Sequence, residues 1–158
     1  LNIDSVSGCA RLSPMSIEDV FAFLQRGEGL ISTLGIRFAL EGAAIHCAMR
    51  VGHGHLGGPG VAHGGALAAL LDTALGAEVL RYAIPRGKLA STVEMKVNFL
   101  RPAPAGAELR TSTQIQSKGQ SLLVISGEAV DQDSGAKVAF AVGTFNLYEG
   151  ELSVSTRA

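Results

Sequence analysis

The sequence predicts an α+β fold in which one antiparallel sheet curls around a single long apolar helix. Three observations predict it. Residues 63–82, HGGALAALLDTALGAEVLRY, contain no proline and are apolar on nearly all sides, the pattern of a buried helix. Four strand-like runs follow at 89–100, 107–117, 121–131 and 136–148. A short amphipathic helix and one strand pair precede it. The order helix, two strands, buried helix, four strands suits a sheet layered on one helix.

The elements are justified in turn. In 16–26, SIEDVFAFLQR, Ser16 is placed to cap the helix, with Glu18 and Asp19 in its first turn. Ile17, Val20, Phe21 and Leu24 share one helical face, and Gly27 and Gly29 end the helix. Residues 34–41 and 43–51 read as a strand pair turned at Glu41-Gly42. Residues 53–62, HGHLGGPGVA, form a loop rich in glycine, whose backbone is free to approach something closely. Pro85 and Gly87 stop the central helix. In the first strand after it, Thr92, Glu94, Lys96 and Asn98 alternate with Val93, Met95, Val97 and Phe99. Pro102, Pro104 and Gly106, then Gly119, then Asp133-Ser134-Gly135 separate the last four strands.

A chain of 158 residues, 47% hydrophobic and 17% charged, fits one domain, 1–158, with its core at about 30–148. The formal net charge of −1 provides no basic field for a nucleic acid, and 5% aromatics without tryptophan provide no stacking platform for bases. Cys9 and Cys47 are far apart and read as free, buried thiols. No apolar run approaches the roughly 20 residues of a membrane span. No basic region leads into an apolar stretch at the start, so no signal peptide is expected and the chain is placed in the cytoplasm.

The chemistry concentrates in GGPGVAHGGALAALLD, residues 57–72. His63-Gly64-Gly65 stands where the glycine-rich loop enters the helix. Backbone N–H groups there lack helical partners, and the helix dipole favours negative charge, so the geometry suits an oxyanion as well as a phosphate. Asp72 lies on an otherwise apolar helix between Leu71 and Thr73. A buried carboxylate without a partner is expensive, so Asp72 is either a structural Asp bonded to a loop or a reactive group in a cleft. Gly65, Ala68, Ala69 and Gly76, small residues near it on the helix, leave room for a thin substrate or for close packing.

These residues resemble the phenylacetate-degradation-type (PaaI-like) hotdog-fold acyl-CoA thioesterases. That family carries His-Gly-Gly at the start of its central helix and a catalytic Asp or Glu nine residues after the His, the spacing of His63 and Asp72. STVEMKVNFLRPAPAGAELR (91–110), the Gly119 hairpin and SGAKVAFAVGTF (134–145) are also similar to it, so the resemblance covers roughly 30–148. It implies a hotdog fold, hydrolysis of acyl-CoA without a cofactor, and a homodimer or homotetramer whose sites lie between two chains.

The resemblance also implies roles. Asp72 is the general base that activates water, or a nucleophile that forms a mixed anhydride. Gly64 donates its N–H to the thioester carbonyl. His63 orients the loop or touches that carbonyl. Thr92 reaches the neighbouring chain's site and holds the water. Gly65 joins the substrate-binding turn or serves packing. Many relatives carry Asn or Gln where this chain has Gly57; His55 is the nearby candidate to replace that amide. Arg101, Lys118 and Gly119 match the coenzyme-binding region, and Arg86 and Lys88 are further phosphate candidates.

Three other readings compete. His53, His55 and His63 make a His-x-His plus His set, yet no carboxylate or Cys lies nearby in sequence, so no metal is expected. Pro59-Gly60-Val61 resembles hotdog acyl dehydratases, but Gly64, Gly65 and Ala66 stand where those carry an acid. A non-catalytic acyl-CoA-binding hotdog module is the last alternative; the intact Asp72 argues against it.

Overall fold

A computed structural model describes residues 16–26 and 29–150. Cys9 and Gly27, singled out above, lie outside the described residues. The first helix, α1 (Ile17–Gln25), starts with a capping box: the Ser16 Oγ accepts from the Asp19 N–H at 3.2 Å, and Asp19 Oδ2 accepts from the Ser16 N–H at 2.9 Å. Its buried Val20 and Leu24 pack with Ile45, Ala77 and Ile84 against the flank of the central helix. A single turn, α2 (Leu30–Thr33), comes next and was not expected. The first strand consequently starts at Arg37 rather than near residue 34. Gly35, at φ 58°, takes a left-handed conformation that ends the turn before the strand begins.

Strands β1 (Arg37–Glu41) and β2 (Ala44–Arg50) pair antiparallel around Gly42, with Phe38 opposite Cys47. The glycine-rich loop follows as a tight turn at His53–His55 and a two-rung ladder of β3 (Leu56–Gly57) on β4 (Val61–Ala62). Helix α3 (Gly64–Ala83) runs 20 residues. The last strands are β5 (Lys88–Phe99), β6 (Glu108–Lys118), β7 (Leu122–Asp131) and β8 (Lys137–Glu149).

One six-stranded sheet has the order β1-β2-β6-β7-β8-β5, all pairs antiparallel. Helix α3 packs on it and touches five of its strands, β2, β5, β6, β7 and β8. Leu67, Leu70, Leu71, Leu75 and Val79 from α3 meet Met49, Leu109, Leu123, Ile125 and Phe145 from the sheet. Each such side chain stabilises the fold by about 2 kcal/mol on removal from water. Two strand glycines set the closeness of this contact. A Cβ on Gly127 would lie 2.8 Å from Leu75 Cδ2, and one on Gly143 3.2 Å from Leu75 Cδ1. This is the hotdog fold, an α+β sheet wrapped on one helix.

Among the described residues β5 pairs only with β8 and leaves its other edge open. It also carries a bulge: Thr92 pairs with Phe145 and Glu94 with Thr144, leaving Val93 unpaired and 60% exposed. The bulge reverses the alternation of the strand. Ala90 packs on the core before it, and Met95 and Val97 after it. Thr92 therefore does not share a face with Glu94, Lys96 and Asn98, as simple alternation predicted.

Candidate active site

The start of α3 is built by His63. Its backbone is extended, and its Nδ1 accepts from the Gly65 N–H at 2.9 Å, so the imidazole is the helix N-cap. With Nδ1 an acceptor, the neutral ring carries its proton on Nε2. The His63 carbonyl accepts from the Ala66 and Leu67 N–H groups. The Gly64 N–H is thus the one amide of this first turn with no acceptor among the described residues. It sits at the positive end of the α3 dipole. The Gly65 N–H, by contrast, is taken by the cap and is not free for a ligand.

Glycines shape the surroundings. A Cβ on Gly57 would lie 2.9 Å from His63 Cδ2, so the imidazole occupies the space a side chain at 57 would need. A Cβ on Gly64 would lie 3.1 Å from Phe99 Cζ. Its absence lets the Phe99 ring rest against the helix start. Two clefts flank this point. One, about 380 Å³, is lined by Ala62, Gly64, Leu67, Phe99 and Arg101. The other, about 320 Å³, is lined by Leu34, His55, His63, Ala66 and Ala69. The sequence marks Phe99 only as an apolar residue sharing the face of Met95 and Val97; that it reaches Gly64 is set by how β5 lies along α3, which no local sequence signal marks.

Two turns along α3, the half-buried Asp72 meets Thr92. The Thr92 hydroxyl donates to Asp72 Oδ1 at 2.9 Å, and Oδ2 has no protein donor among the described residues. The resemblance implied that Thr92 serves a neighbouring chain; the bond seen is to Asp72 of its own chain, because the bulge turns Thr92 toward the helix. The other charges of α3 leave the site. Glu78 is buried and paired with Arg81, and that hydrogen bond raises the Arg81 pKa.

The remaining candidates are scattered. His55 Nδ1 accepts from the Gly52 N–H at 2.8 Å, and its carbonyl accepts from the His63 N–H, so His55 ties the loop to the cap. Arg101 donates from Nη1 to the Lys137 carbonyl at 3.0 Å and lines the cleft beside Gly64. Lys118 and Gly119 lie instead with the opposite end of α3, where Lys118 Nζ stands 5.1 Å from the Tyr82 ring. Gly119 closes the β6–β7 turn through its N–H to the Leu122 carbonyl.

Comparison with known proteins agrees with this fold. The model of the Thioesterase superfamily matches residues 59–137, half of the chain, from the glycine-rich loop to the start of β8. Human acyl-coenzyme A thioesterase 13 is 24% identical over 127 residues, covering 78% of this chain and 89% of that protein. The Escherichia coli PaaI protein from the phenylacetic acid degradation operon superposes with a TM-score of 0.75 at 25% identity, over 85% of this chain and 94% of that one. A phenylacetic acid degradation-related protein from Ralstonia eutropha gives a TM-score of 0.68 at 28% identity, over 80% and 98% of the two chains. The chain belongs to the thioesterase superfamily and is a PaaI-like hotdog thioesterase.

Proposed function

We propose that this protein hydrolyses acyl-CoA thioesters to the free acid and CoA, with Asp72 as the reacting carboxylate. The observation that carries the reading is the Asp72–Thr92 pair on an apolar helix whose N-terminus presents a free Gly64 N–H. The Thr92 bond fixes one carboxylate oxygen and leaves Oδ2 to act. As a general base, Oδ2 takes a proton from water. The resulting hydroxide attacks the thioester carbonyl carbon, and the Gly64 N–H and helix dipole stabilise the oxyanion. Such a donor contributes about 3 kcal/mol to the barrier reduction. Collapse breaks the C–S bond, and the CoA thiolate recovers the proton. In the alternative route Oδ2 attacks the carbonyl itself, the C–S bond breaks to release the CoA thiolate, and water then cleaves the mixed anhydride to the free acid and the Asp72 carboxylate, its released proton going to the thiolate.

Helix geometry supports a site shared by two copies. Gly64 and Asp72 are eight residues apart, about 12 Å along α3. One thioester carbonyl does not touch both in a single chain. The outer edge of β5, open among the described residues and running along a 12-residue strand that carries Thr92, is available to a second copy. Pairing of two β5 edges about a two-fold axis brings Gly64 of one chain toward Asp72 of the other. A dimer is then the minimal active unit, and a tetramer a pair of such dimers.

The test is free-thiol release from a panel of aromatic, short-chain and medium-chain acyl-CoAs, wild type against Asp72→Asn. Hydrolysis by the wild type and its loss in the variant support the reading. Binding of acyl-CoA without hydrolysis across the panel replaces it with a binding module.

A further inference from the structure

The turn α2 borders a cleft at the start of α3. Leu30, Leu34, Leu56, Ala66 and Ala69 line this space of about 320 Å³. The first turns of α3 give it only small side chains, from Gly65, Ala66 and Ala69. Among the described residues no charged side chain lines it. Its two polar side chains, His55 and His63, are engaged through Nδ1 with the Gly52 and Gly65 N–H groups. The open space is therefore bounded mainly by apolar groups.

Leu30 stands at the rim and is 63% exposed, the most exposed large apolar side chain among the described residues. The turn that carries it is anchored. Ile31 and Leu34 pack on the core, and the Ile36 N–H donates to the Ile31 carbonyl at 3.0 Å. The exposure of Leu30 is thus imposed by the turn. An apolar side chain held open at the edge of an apolar cleft is positioned to meet an apolar ligand. Ser32, on the same turn, lines a different cleft with Gln25, Arg37 and Phe38.

The glycines at the helix start belong to different clefts. Gly64 lines the one that holds Arg101, and Gly65 lines the one beside Leu30. A thioester carbonyl at the Gly64 N–H stands between them, so its two ends leave in different directions. The Arg101 cleft suits a polar end, and the uncharged cleft suits an apolar one. Its volume of about 320 Å³ is room for about ten water-sized groups, enough for a straight chain of about eight carbons. We infer that the cleft between α2 and α3 receives an uncharged aliphatic acyl group of medium length, and that Leu30 sets the preference for it. The inference rests on the hydrolase reading for its chemistry. Leu30, Leu34 and Leu56 all precede residue 59, where the match to the superfamily model begins, so this wall belongs to the part of the chain outside that match.

The experiment compares wild type with Leu30→Asp, Leu30→Met and Ser32→Asp. Kinetics records kcat/KM for acetyl-CoA and octanoyl-CoA. Calorimetry records the binding of free CoA and of S-octyl-CoA, a thioether that is not hydrolysed. Leu30→Asp is expected to lower kcat/KM for octanoyl-CoA, and affinity for S-octyl-CoA, by about tenfold, the scale of losing about two buried methylenes. Acetyl-CoA hydrolysis and CoA binding stay near wild type. Leu30→Met keeps an apolar rim and restores the octanoyl and octyl values. Ser32→Asp puts the same charge on the same turn beside the other cleft, and stays near wild type. S-octyl-CoA that binds no tighter than CoA, equal losses on both acyl groups, no loss on octanoyl-CoA, or the same loss in Ser32→Asp overturns the acyl cleft while hydrolysis itself stands. A gain of S-octyl-CoA over CoA that Leu30→Asp removes, in a protein that hydrolyses neither substrate, upholds the cleft and overturns the hydrolase reading.

Discussion

The Thr92 hydroxyl donates to Asp72 Oδ1 at 2.9 Å, joining the open-edge strand to the central helix within one chain. The bond depends on the bulge at Val93, without which Thr92 would follow the parity of Glu94, Lys96 and Asn98 and face away from the helix. A hydroxyl donating to one oxygen orients the carboxylate and keeps the other oxygen available. Strand and helix thus define the position of the reacting atom jointly.

Asp72→Asn is expected to reduce kcat at least about 100-fold, the scale of a lost general base. Thr92→Ala is expected to reduce kcat about tenfold with little change in KM, since it loosens the carboxylate without removing it. The pair acts as a unit, so the double variant should be no slower than Asp72→Asn alone. Steady-state kinetics of the three variants on one acyl-CoA checks this. Additive losses would show that Thr92 works independently of Asp72.

The His63 ring caps α3, so His63→Ala is expected to cost about 1 kcal/mol and to lower Tm by about 3 °C. Asn is a strong N-cap without an imidazole. His63→Asn should therefore restore Tm and most of kcat. Thermal unfolding and kinetics on the same two variants decide between capping and direct contact with the substrate. Restored Tm with activity still lost would mark the ring as a contact to the carbonyl.

Gly57→Ala sets a Cβ 2.9 Å from His63 Cδ2 and is expected to destabilise the chain by about 1–3 kcal/mol, as overpacking does. The cost should shrink in a His63→Ala background, where the obstructing ring is gone. Urea unfolding of the two single variants and the double variant measures the coupling. Full additivity would mean that the ring does not define the space at 57.

Much of this architecture is legible in the residues. The apolar run through α3, the Ser16 capping box and the proline and glycine breaks mark elements within a few positions, because hydrophobic period and turn chemistry are local. The spacing of His63 and Asp72 is legible for the same reason. The bulge at Val93 is not, because it is decided by the pairing of β5 with β8, and the partnership of Thr92 with Asp72 goes with it; the meeting of Phe99 with Gly64 is likewise a contact between distant elements. Arg86 and Lys118 both stand by the Tyr82 ring, and only the folded sheet brings the second of these to the helix end.

Cys47 gives a pH prediction. Burial pushes its thiol up to about 12, with a hydrogen bond from Thr111 opposing in part. The unfolded chain ionises this thiol near pH 8.5 while the folded chain holds the proton. Its contribution to stability is therefore fully present below that pH and is lost as pH rises toward 12, at about 1.4 kcal/mol per pH unit. Cys47→Ala removes this dependence. Between pH 8 and 10.5 the stability gap between wild type and variant, measured by urea unfolding, should narrow by about 2 kcal/mol. A constant gap would mean that the thiol ionises in the folded state as it does in the unfolded one.

Gly127 tests how closely the sheet must approach α3 for the site to form. A Cβ there lies 2.8 Å from Leu75 Cδ2 and 3.1 Å from the Ser112 carbonyl oxygen, so it meets the helix on one side and the neighbouring strand on the other. Backbone does not yield as a side-chain end does, and Gly127→Ala is expected to cost about 3 kcal/mol. Gly143→Ala meets only side-chain atoms within 3.4 Å, from Phe145 and Leu75, and should cost less. Leu75 lies three residues after Asp72, so a helix pushed off the sheet at Leu75 also draws Asp72 away from Thr92. Gly127→Ala should therefore lower kcat as well as Tm, and at a temperature where it stays folded its kcat should approach that of Thr92→Ala. Unchanged kcat in a folded but destabilised Gly127→Ala would show that the Asp72–Thr92 bond does not depend on the seating of α3.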